Sequence, residues 1–439
     1  MKFRTKLAKS VARLSQSTLQ KVTGGGSSLP GKIAMRLDPN ILPELAKNYD
    51  VVVITGTNGK TLTTSLTAQI FERSGMEVIT NQTGSNMLQG IVTTFIEANN
   101  LKSSCERPIA VLEVDEGSLK HVVSKVQPKA FIFTNLYEDQ ADRFSSVEAV
   151  YELLLDAAKA VPDATVFMNG DLPLFSQHDL PNSVIYFGTD IDGAGAGEES
   201  LCPRCGHPLN YHHQTFSNLG DYECLNCSLK RPPLTYTLEK VLDITPYDST
   251  FVINGVKLHL PFGGLYNIYN ALAAFSLTTH WGINSQFISQ ALNEAKDVSG
   301  RQEEIQVNEK HLTINLAKNT VGMNQLLELL KLGNEPFTFV NLQNDQYADG
   351  RDIHWIWDAN YHFLTQLPIK QFITGGSQAE EVKKRLLHES IDESIIYVAS
   401  SMEEVLEMIK EAPTNKVHLL GSYTATIEFR NLLKEQHYL

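Results

Sequence analysis

No stretch of the chain holds the 18 or more apolar residues that a membrane-spanning helix needs. The N-terminus also lacks the apolar stretch and small-residue cleavage site of a secretory signal, so a cytoplasmic location is expected. Positive charge is scarce: 37 Lys and Arg stand against 50 Asp and Glu, a formal net charge of -13. That balance argues against duplex nucleic acid as a partner, since binding it relies on a basic surface that displaces counterions. Cysteine is scarce too. The five present are an odd number, four of them fall in two close pairs, and 439 residues bury enough core to do without disulfide staples. Metal in a reducing compartment is the expectation. With 42% hydrophobic and 20% charged residues the composition is that of a folded protein, and the length predicts two or three domains.

Acid is missing altogether from residues 1 to 37, which carry Lys2, Arg4, Lys6, Lys9, Arg13, Lys21, Lys32 and Arg36. Phe3, Leu7, Val11 and Leu14 recur at helical spacing. The segment reads as a helix packed on the body with a solvated basic face, or as a basic amphipathic helix that touches an anionic membrane surface. Thr23 to Ser28 is expected to be a flexible joint, and residues 1–48 form this helix and its linker.

From Tyr49 the pattern changes. Val51 to Ile54 is a continuous β-branched run, the mark of a strand buried on both faces of a parallel sheet. A helix is predicted over Leu62–Arg73, then strands over Met76–Thr80, Ile109–Val114, Lys129–Thr134 and Thr165–Met168, with helical stretches such as Val147–Lys159 between them. This alternation predicts an α/β fold with a doubly wound sheet over residues 49–300. Gly and Ala between Asp190 and Ser200 break the order ahead of the cysteine pairs, so an inserted module is expected at about 198–233. Strands at Phe337–Leu342, Gln371–Thr374, Ile395–Val398 and Val417–Leu420 predict a second, smaller Rossmann-like unit over 301–439.

The first strand runs into Thr55-Gly56-Thr57-Asn58-Gly59-Lys60-Thr61. A strand, a glycine-containing turn and a helix in succession place backbone N–H groups and a positive helix end around an anion. Lys60 adds charge for the β- and γ-phosphates of ATP, and Thr61 a hydroxyl for Mg²⁺. A strict phosphate-loop pattern would have glycine at Ile54.

The spelling Gly-Thr-Asn-Gly-Lys-Thr resembles the loop of the Mur ligase superfamily, the peptidoglycan stem-peptide ligases and folylpolyglutamate synthases. Later segments follow that family's order: Val111 to Glu116, where Glu113 helps hold Mg²⁺; Phe133 to Gln140; Asn169-Gly170-Asp171; Leu265 to Ala271, whose Asn267 and Asn270 lie near the adenine; and Gly300-Arg301 at the start of the C-terminal domain. The resemblance therefore implies an ATP- and Mg²⁺-dependent ligase that activates a carboxylate as an acyl phosphate. Three positions depart from it. Gln140 replaces a metal-binding histidine, Asn315 stands where a ribose-binding aspartate is usual, and Lys159 fits poorly the spacing of the carbamylated lysine of many members.

Cys202-Pro203-Arg204-Cys205 and Cys224-Leu225-Asn226-Cys227 have the spacing of a Cys₄ zinc ribbon. Four thiolates leave no open position for water, so a structural zinc is expected, with His207, His212 and His213 as weaker rival ligands and Cys105 as a small buried residue. One segment remains, Asn341 to Asp358, which holds four aspartates and two of the three tryptophans at a strand's carboxyl end. By itself it fits a capped loop with its tryptophans in the core. Together with the ribbon, Ala348-Asp349-Gly350-Arg351-Asp352 and Trp355-Ile356-Trp357-Asp358 resemble the MurT family, ligase subunits of lipid II isoglutaminyl synthase.

That resemblance implies ATP-dependent amidation of the D-glutamate α-carboxylate in the lipid II stem peptide. Ammonia comes from a glutamine amidotransferase partner of the GatD type, bound by the C-terminal domain. Asp349 then completes the partner's Cys-His pair as a catalytic acid, although Asp345 or Asp352 serves equally well by sequence alone. The chain shows no glutaminase nucleophile of its own, and only about fifty residues precede the first strand, too few for the domain that binds UDP-linked substrates in Mur ligases. A lipid-linked substrate at the inner face of the membrane is expected. The rival expectations are a stand-alone amino-acid ligase and a nucleotide-binding assembly protein without catalysis.

Overall fold

The computed structural model describes residues 5, 8, 10–12, 28–81, 85–98, 107–138, 145–191, 199–296, 300–350 and 352–439. Most of the N-terminal basic segment, most of the Thr23–Ser28 joint, Cys105, Gln140 and Arg351 lie outside them.

Strands β1 (Asp50–Thr55), β2 (Val78–Thr80), β3 (Ile109–Glu113), β4 (Ala130–Phe133), β5 (Thr165–Asn169) and β6 (Val184–Thr189) begin the first sheet. The chain then leaves it for the hairpin β7 (Asn210–Gln214) and β8 (Gly220–Glu223). It returns as β9 (Tyr236–Ile244), β10 (Ser249–Ile253) and β11 (Val256–Leu260). The nine strands run in the order β11-β10-β9-β6-β5-β4-β1-β3-β2, parallel from β2 to β9 and antiparallel across β9-β10-β11.

Alternation along β1 explains the layers, because successive side chains point to opposite faces. Val51 and Val53 join one core with Phe95, Val122 and Leu154, while Val52 and Ile54 join another with Leu62, Leu66 and Ile268. Both faces are thus covered by helices, as a parallel sheet requires. The strand order reverses around β1, whose neighbours are β3 and β4, so the loops leaving β1 and β4 open into a crevice at the sheet's carboxyl edge.

A second sheet is built from β12 (Glu303–Val307), β13 (Lys310–Leu316), β14 (Phe337–Leu342), β15 (Ile369–Gly375), β16 (Ile396–Val398) and β17 (Lys416–Gly421). Its order is β12-β13-β17-β14-β15-β16, and only β12 and β13 pair antiparallel. Val340 and Leu342 pack on one face, Phe337 and Phe339 on the other. Observed strands differ from the predicted ranges by one or two residues at their ends, where the last ladder bonds rather than hydrophobicity decide. Among the described residues no helix is long and apolar enough to cross a membrane.

In the second unit the buried Tyr361 hydroxyl donates to Asn341 Oδ1 (2.7 Å), and Asn341 Nδ2 donates to the Leu420 carbonyl (3.0 Å). Tyr361→Phe leaves that buried acceptor without its donor and is expected to lower the unfolding free energy of this unit by about 1–3 kcal/mol, read from denaturant unfolding curves.

Candidate active site and metal centre

The turn after β1 needs glycine at two points. Gly56 has φ +130°, and a Cβ there would lie 2.3 Å from Thr134 Oγ1. Gly59 has φ +84° and caps the helix Lys60–Arg73, and its Cβ would lie 2.0 Å from Asn270 Oδ1. The loop after β4 holds the turn in place. Thr57 N–H donates to the Asn135 carbonyl (2.8 Å), Asn58 N–H to Asn135 Oδ1 (2.8 Å), and Thr134 Oγ1 to the Asn58 carbonyl (2.9 Å).

Lys60 heads the helix and is buried. Its Nζ donates to Glu116 Oε1 (2.8 Å), to the Thr57 carbonyl (3.3 Å) and to the Gly56 carbonyl. Glu116, which the sequence reading left without a role, is thereby the lysine's ion-pair partner in a low-dielectric setting. Glu113 is also buried, at the carboxyl end of β3, where its Oε1 accepts from Asn86 Nδ2 (3.1 Å).

These residues border a cavity of about 510 Å³, within the range of small-ligand sites. Thr57, Asn58, Gly59, Lys60, Thr61, Glu113, Asn267, Asn270 and Arg301 all line it. Gly56 does not line the cavity; its carbonyl accepts from Lys60 Nζ. The helix Leu265–His280 carries both asparagines: Asn270 Oδ1 accepts from Thr63 Oγ1 (3.3 Å), and Asn267 Nδ2 donates to the Gly263 carbonyl (2.8 Å) and to Gln302 Oε1 (3.2 Å). Burial draws the Arg301 guanidinium down from its ordinary range, against an opposing pull from Glu113.

The second unit closes the cavity. Asn58 and Asn319 exchange side-chain amide hydrogen bonds (3.2 and 3.1 Å), and Asn315, whose Oδ1 accepts from Gln302 N–H (3.0 Å), lines the wall. Lys159 points elsewhere, pairing with Asp179 (2.6 Å), and does not line the cavity.

Tyr347 and Ala348 line the cavity as well. The next residue, Asp349, is 5% exposed and turns inward, accepting from Thr424 N–H (2.7 Å), the Thr424 hydroxyl and Gln346 N–H (3.2 Å). Asp345 accepts from Ser377 and Gln378 side chains (both 2.9 Å), and exposed Asp352 accepts from His354 N–H (2.8 Å). Capped turns are therefore present in this segment. Its tryptophans do not fill the core as expected: Trp357 is exposed, with Nε1 donating to Glu381 (3.2 Å), and Trp355 is only partly buried, because a four-residue helix offers one buried position, taken by Ile356.

The four cysteines converge from two matching turns. Cys202 N–H donates to the His207 carbonyl and Cys224 N–H to the Leu229 carbonyl (both 2.7 Å). All four Sγ atoms lie within 4.8 Å of one another, with Cys202–Cys227 and Cys205–Cys224 at 3.5 Å. A tetrahedral metal with sulfur bonds of ~2.3 Å has sulfur–sulfur edges of about 3.8 Å, so the quartet fits such an ion. No histidine belongs to the cluster.

This ribbon is tied to the sheet through Asp171, which is fully buried. Asp171 accepts from Tyr269 OH (2.7 Å), Thr189 N–H (2.8 Å) and Arg231 Nη1 (3.1 Å). Burial pushes its carboxyl up to about 6, and those partners oppose the rise.

Residues 54–197 match the Mur ligase middle domain family, and residues 316–426 match the MurT ligase C-terminal family. The chain is 43% identical to the MurT subunit of a glutamine-hydrolyzing lipid II isoglutaminyl synthase from Streptococcus pneumoniae, over 99% of this chain and 98% of that one. It is 32% identical to the corresponding Staphylococcus aureus subunit over 88% of each. Among solved structures, a pseudomurein peptide ligase type C from Methanothermus fervidus has a TM-score of 0.67 at 22% identity, covering 91% of this chain and 81% of its own, which is a likeness of fold.

Removing Arg231 leaves a buried carboxylate with less compensation. In Arg231→Met the Asp171 pKa rises further above its unfolded value, so the folded state holds a proton the unfolded state releases, and stability falls as pH rises through that window. Thermal unfolding is expected to show a deficit near pH 7.5 of about 3 kcal/mol that shrinks toward pH 5.

Proposed function

Because the chain belongs to the MurT family, we propose that it is the ATP-dependent subunit of a lipid II isoglutaminyl synthase, amidating lipid II in peptidoglycan synthesis. The observation that carries this reading is the match to a MurT subunit along nearly the whole of both chains. One cavity touching both the Lys60 loop and the Tyr347–Ala348 segment supports it.

The mechanism follows from the chemistry of the walls. A free carboxylate is a poor electrophile, so the D-glutamate α-carboxylate first attacks the γ-phosphorus of ATP and ADP leaves. Backbone N–H groups at the start of the Lys60–Arg73 helix and the Lys60 ammonium stabilise charge on the phosphoryl group, while the N–H groups of Thr57 and Asn58 stay on Asn135 and hold the loop's shape. Asn267, Asn270 and Arg301 hold the rest of the nucleotide. Thr61 and Glu113 are the residues that would hold Mg²⁺, which supplies further charge neutralisation. Ammonia then attacks the acyl carbon, the carbon–nitrogen bond forms, the bond to phosphate oxygen breaks, one proton passes from the nitrogen to the departing phosphate, and the amide is left in place.

Residues 49–300 act as the ATPase unit and 301–439 as a Rossmann-like unit that docks a GatD-type glutaminase, the source of ammonia. Asp349 completes that partner's Cys-His pair. Its fixed carboxylate suits a group that orients a histidine, and its lone pairs exceed the donors it already meets. The Cys quartet holds a structural zinc. The enzyme works in the cytoplasm, at the inner face of the membrane that carries lipid II.

In complex with the partner, Lys60→Ala is expected to lower both glutamine- and ammonia-driven amidation at least about 100-fold. Asp349→Ala is expected to lower glutamine-driven amidation by a similar factor and to spare the ammonia-driven reaction; intact glutamine use contradicts the cross-interface acid. Metal analysis of the purified chain should find about one zinc, lost in Cys205→Ser, and a folded wild-type chain without metal contradicts the ribbon assignment.

A further inference from the structure

Asp349 stands one residue behind the wall of the ligase cavity, and the chain repeats that step beside it. β14 and β17 pair in parallel, so the loops leaving their carboxyl ends run side by side. Ser422 N–H donates to the Leu342 carbonyl (2.9 Å), Asn344 N–H to Ser422 Oγ (3.0 Å) and Asn344 Nδ2 to the Thr424 hydroxyl (3.0 Å), which fixes one loop against the other. In the first loop Ala348 lines the cavity and Asp349 follows it. In the second Tyr423 lines the cavity, and Thr424, whose N–H and hydroxyl clasp the Asp349 carboxylate, follows it. Consecutive Cα atoms are about 3.8 Å apart, so the clasp backs directly on the cavity wall.

This wall faces the reacting part of the cavity. Arg301 lines the cavity and interacts electrostatically with both Glu113 and Tyr423, which sets the Tyr423 side near the residue proposed for Mg²⁺. The same wall reaches the surface, because Tyr347 is 70% exposed and Tyr423 39%. A partner that brings a histidine to Asp349 therefore lies over both rings. The three wall side chains are uncharged. They suit ammonia, which is neutral, better than ammonium, which would lose hydration there without a counter-charge. Only the neutral form has the lone pair that attacks an acyl phosphate.

Resting on the function proposed above, we infer that the wall formed by Tyr347, Ala348 and Tyr423 is where ammonia released on the partner enters the ligase cavity. Hydrolysis on the partner turns glutamine and water into glutamate and ammonia. The ammonia then crosses between the two tyrosines to the acyl carbon without mixing with the bulk solution. Ala348 is small enough to leave the way clear, and the Tyr347 ring screens it from water.

The test supplies the intact complex with lipid II, ATP, Mg²⁺ and glutamine carrying nitrogen-15 in its amide. Unlabelled ammonium is present in about tenfold excess over the glutamine turned over, and the readout is the label in the amidated product beside the glutamate released. Most of the wild-type amide is expected to carry the label, since ammonia delivered locally outcompetes the bulk. In Ala348→Trp, which fills the entry, and in Tyr347→Ala, which opens it to water, the labelled share is expected to fall at least about fivefold while glutamate release continues. Tyr347→Phe keeps the ring and restores most of the label, which separates a lost screen from a lost fold. A wild-type product labelled only at the bulk ratio, or full label in both Ala348→Trp and Tyr347→Ala, overturns the inference while the function stands. A wild-type complex that forms no amide from glutamine overturns that function instead.

Discussion

The loop after β4 pins the loop after β1, and the site depends on that constraint. Thr57 and Asn58 reach the phosphate loop's shape by donating their N–H groups to Asn135, and Gly56 and Gly59 are needed because Thr134 and Asn270 crowd where a Cβ would lie. Strand order makes this contact possible, since β4 and β1 are neighbours whose carboxyl ends meet. Once the loop is set, Lys60 heads its helix beside Glu116 with its ammonium in a buried position. A lysine held by an ion pair and carbonyl groups has lost most of its rotamer freedom before any phosphate arrives, which lowers the ordering cost of binding.

From the same cavity the other parts of the chain take their places. The ribbon lends Phe216 and Leu219, the second sheet's unit lends Asn315 and Gln325, and the aspartate segment lends Tyr347. Buried polar pairs join the units: Gln302 bonds Gly263 N–H (2.9 Å), and Asn58 meets Asn319 across the cleft. Such pairs exchange readily for water when a cleft opens, unlike a continuous apolar seam, and they suit a site that must admit a large substrate.

Much of this was legible in the sequence. The β-branched run before Thr55 gave away a doubly buried strand, and two Cys-x-x-Cys pairs gave away a cysteine quartet placed to hold a metal ion, because both patterns answer to local rules of burial and coordination. Partners brought together by topology were not legible. Glu116 pairs with Lys60 across 56 positions, Asn58 with Asn319 across 261, and Phe216 reaches the cavity only because the ribbon folds back over Asp171. No spacing rule encodes such meetings. The tryptophans misled for a simpler reason: hydrophobicity predicts burial on average, and Trp357 lies on a helix too short to bury more than one side.

Amidation of the carboxylate depends on its being phosphorylated first. The most direct measurement supplies lipid II whose D-glutamate α-carboxylate carries oxygen-18, with ATP, Mg²⁺ and ammonia, and weighs the phosphate released. An acyl phosphate predicts one labelled oxygen in each phosphate and one left in the amide carbonyl. Unlabelled phosphate, with amide formed at the same rate, would contradict it.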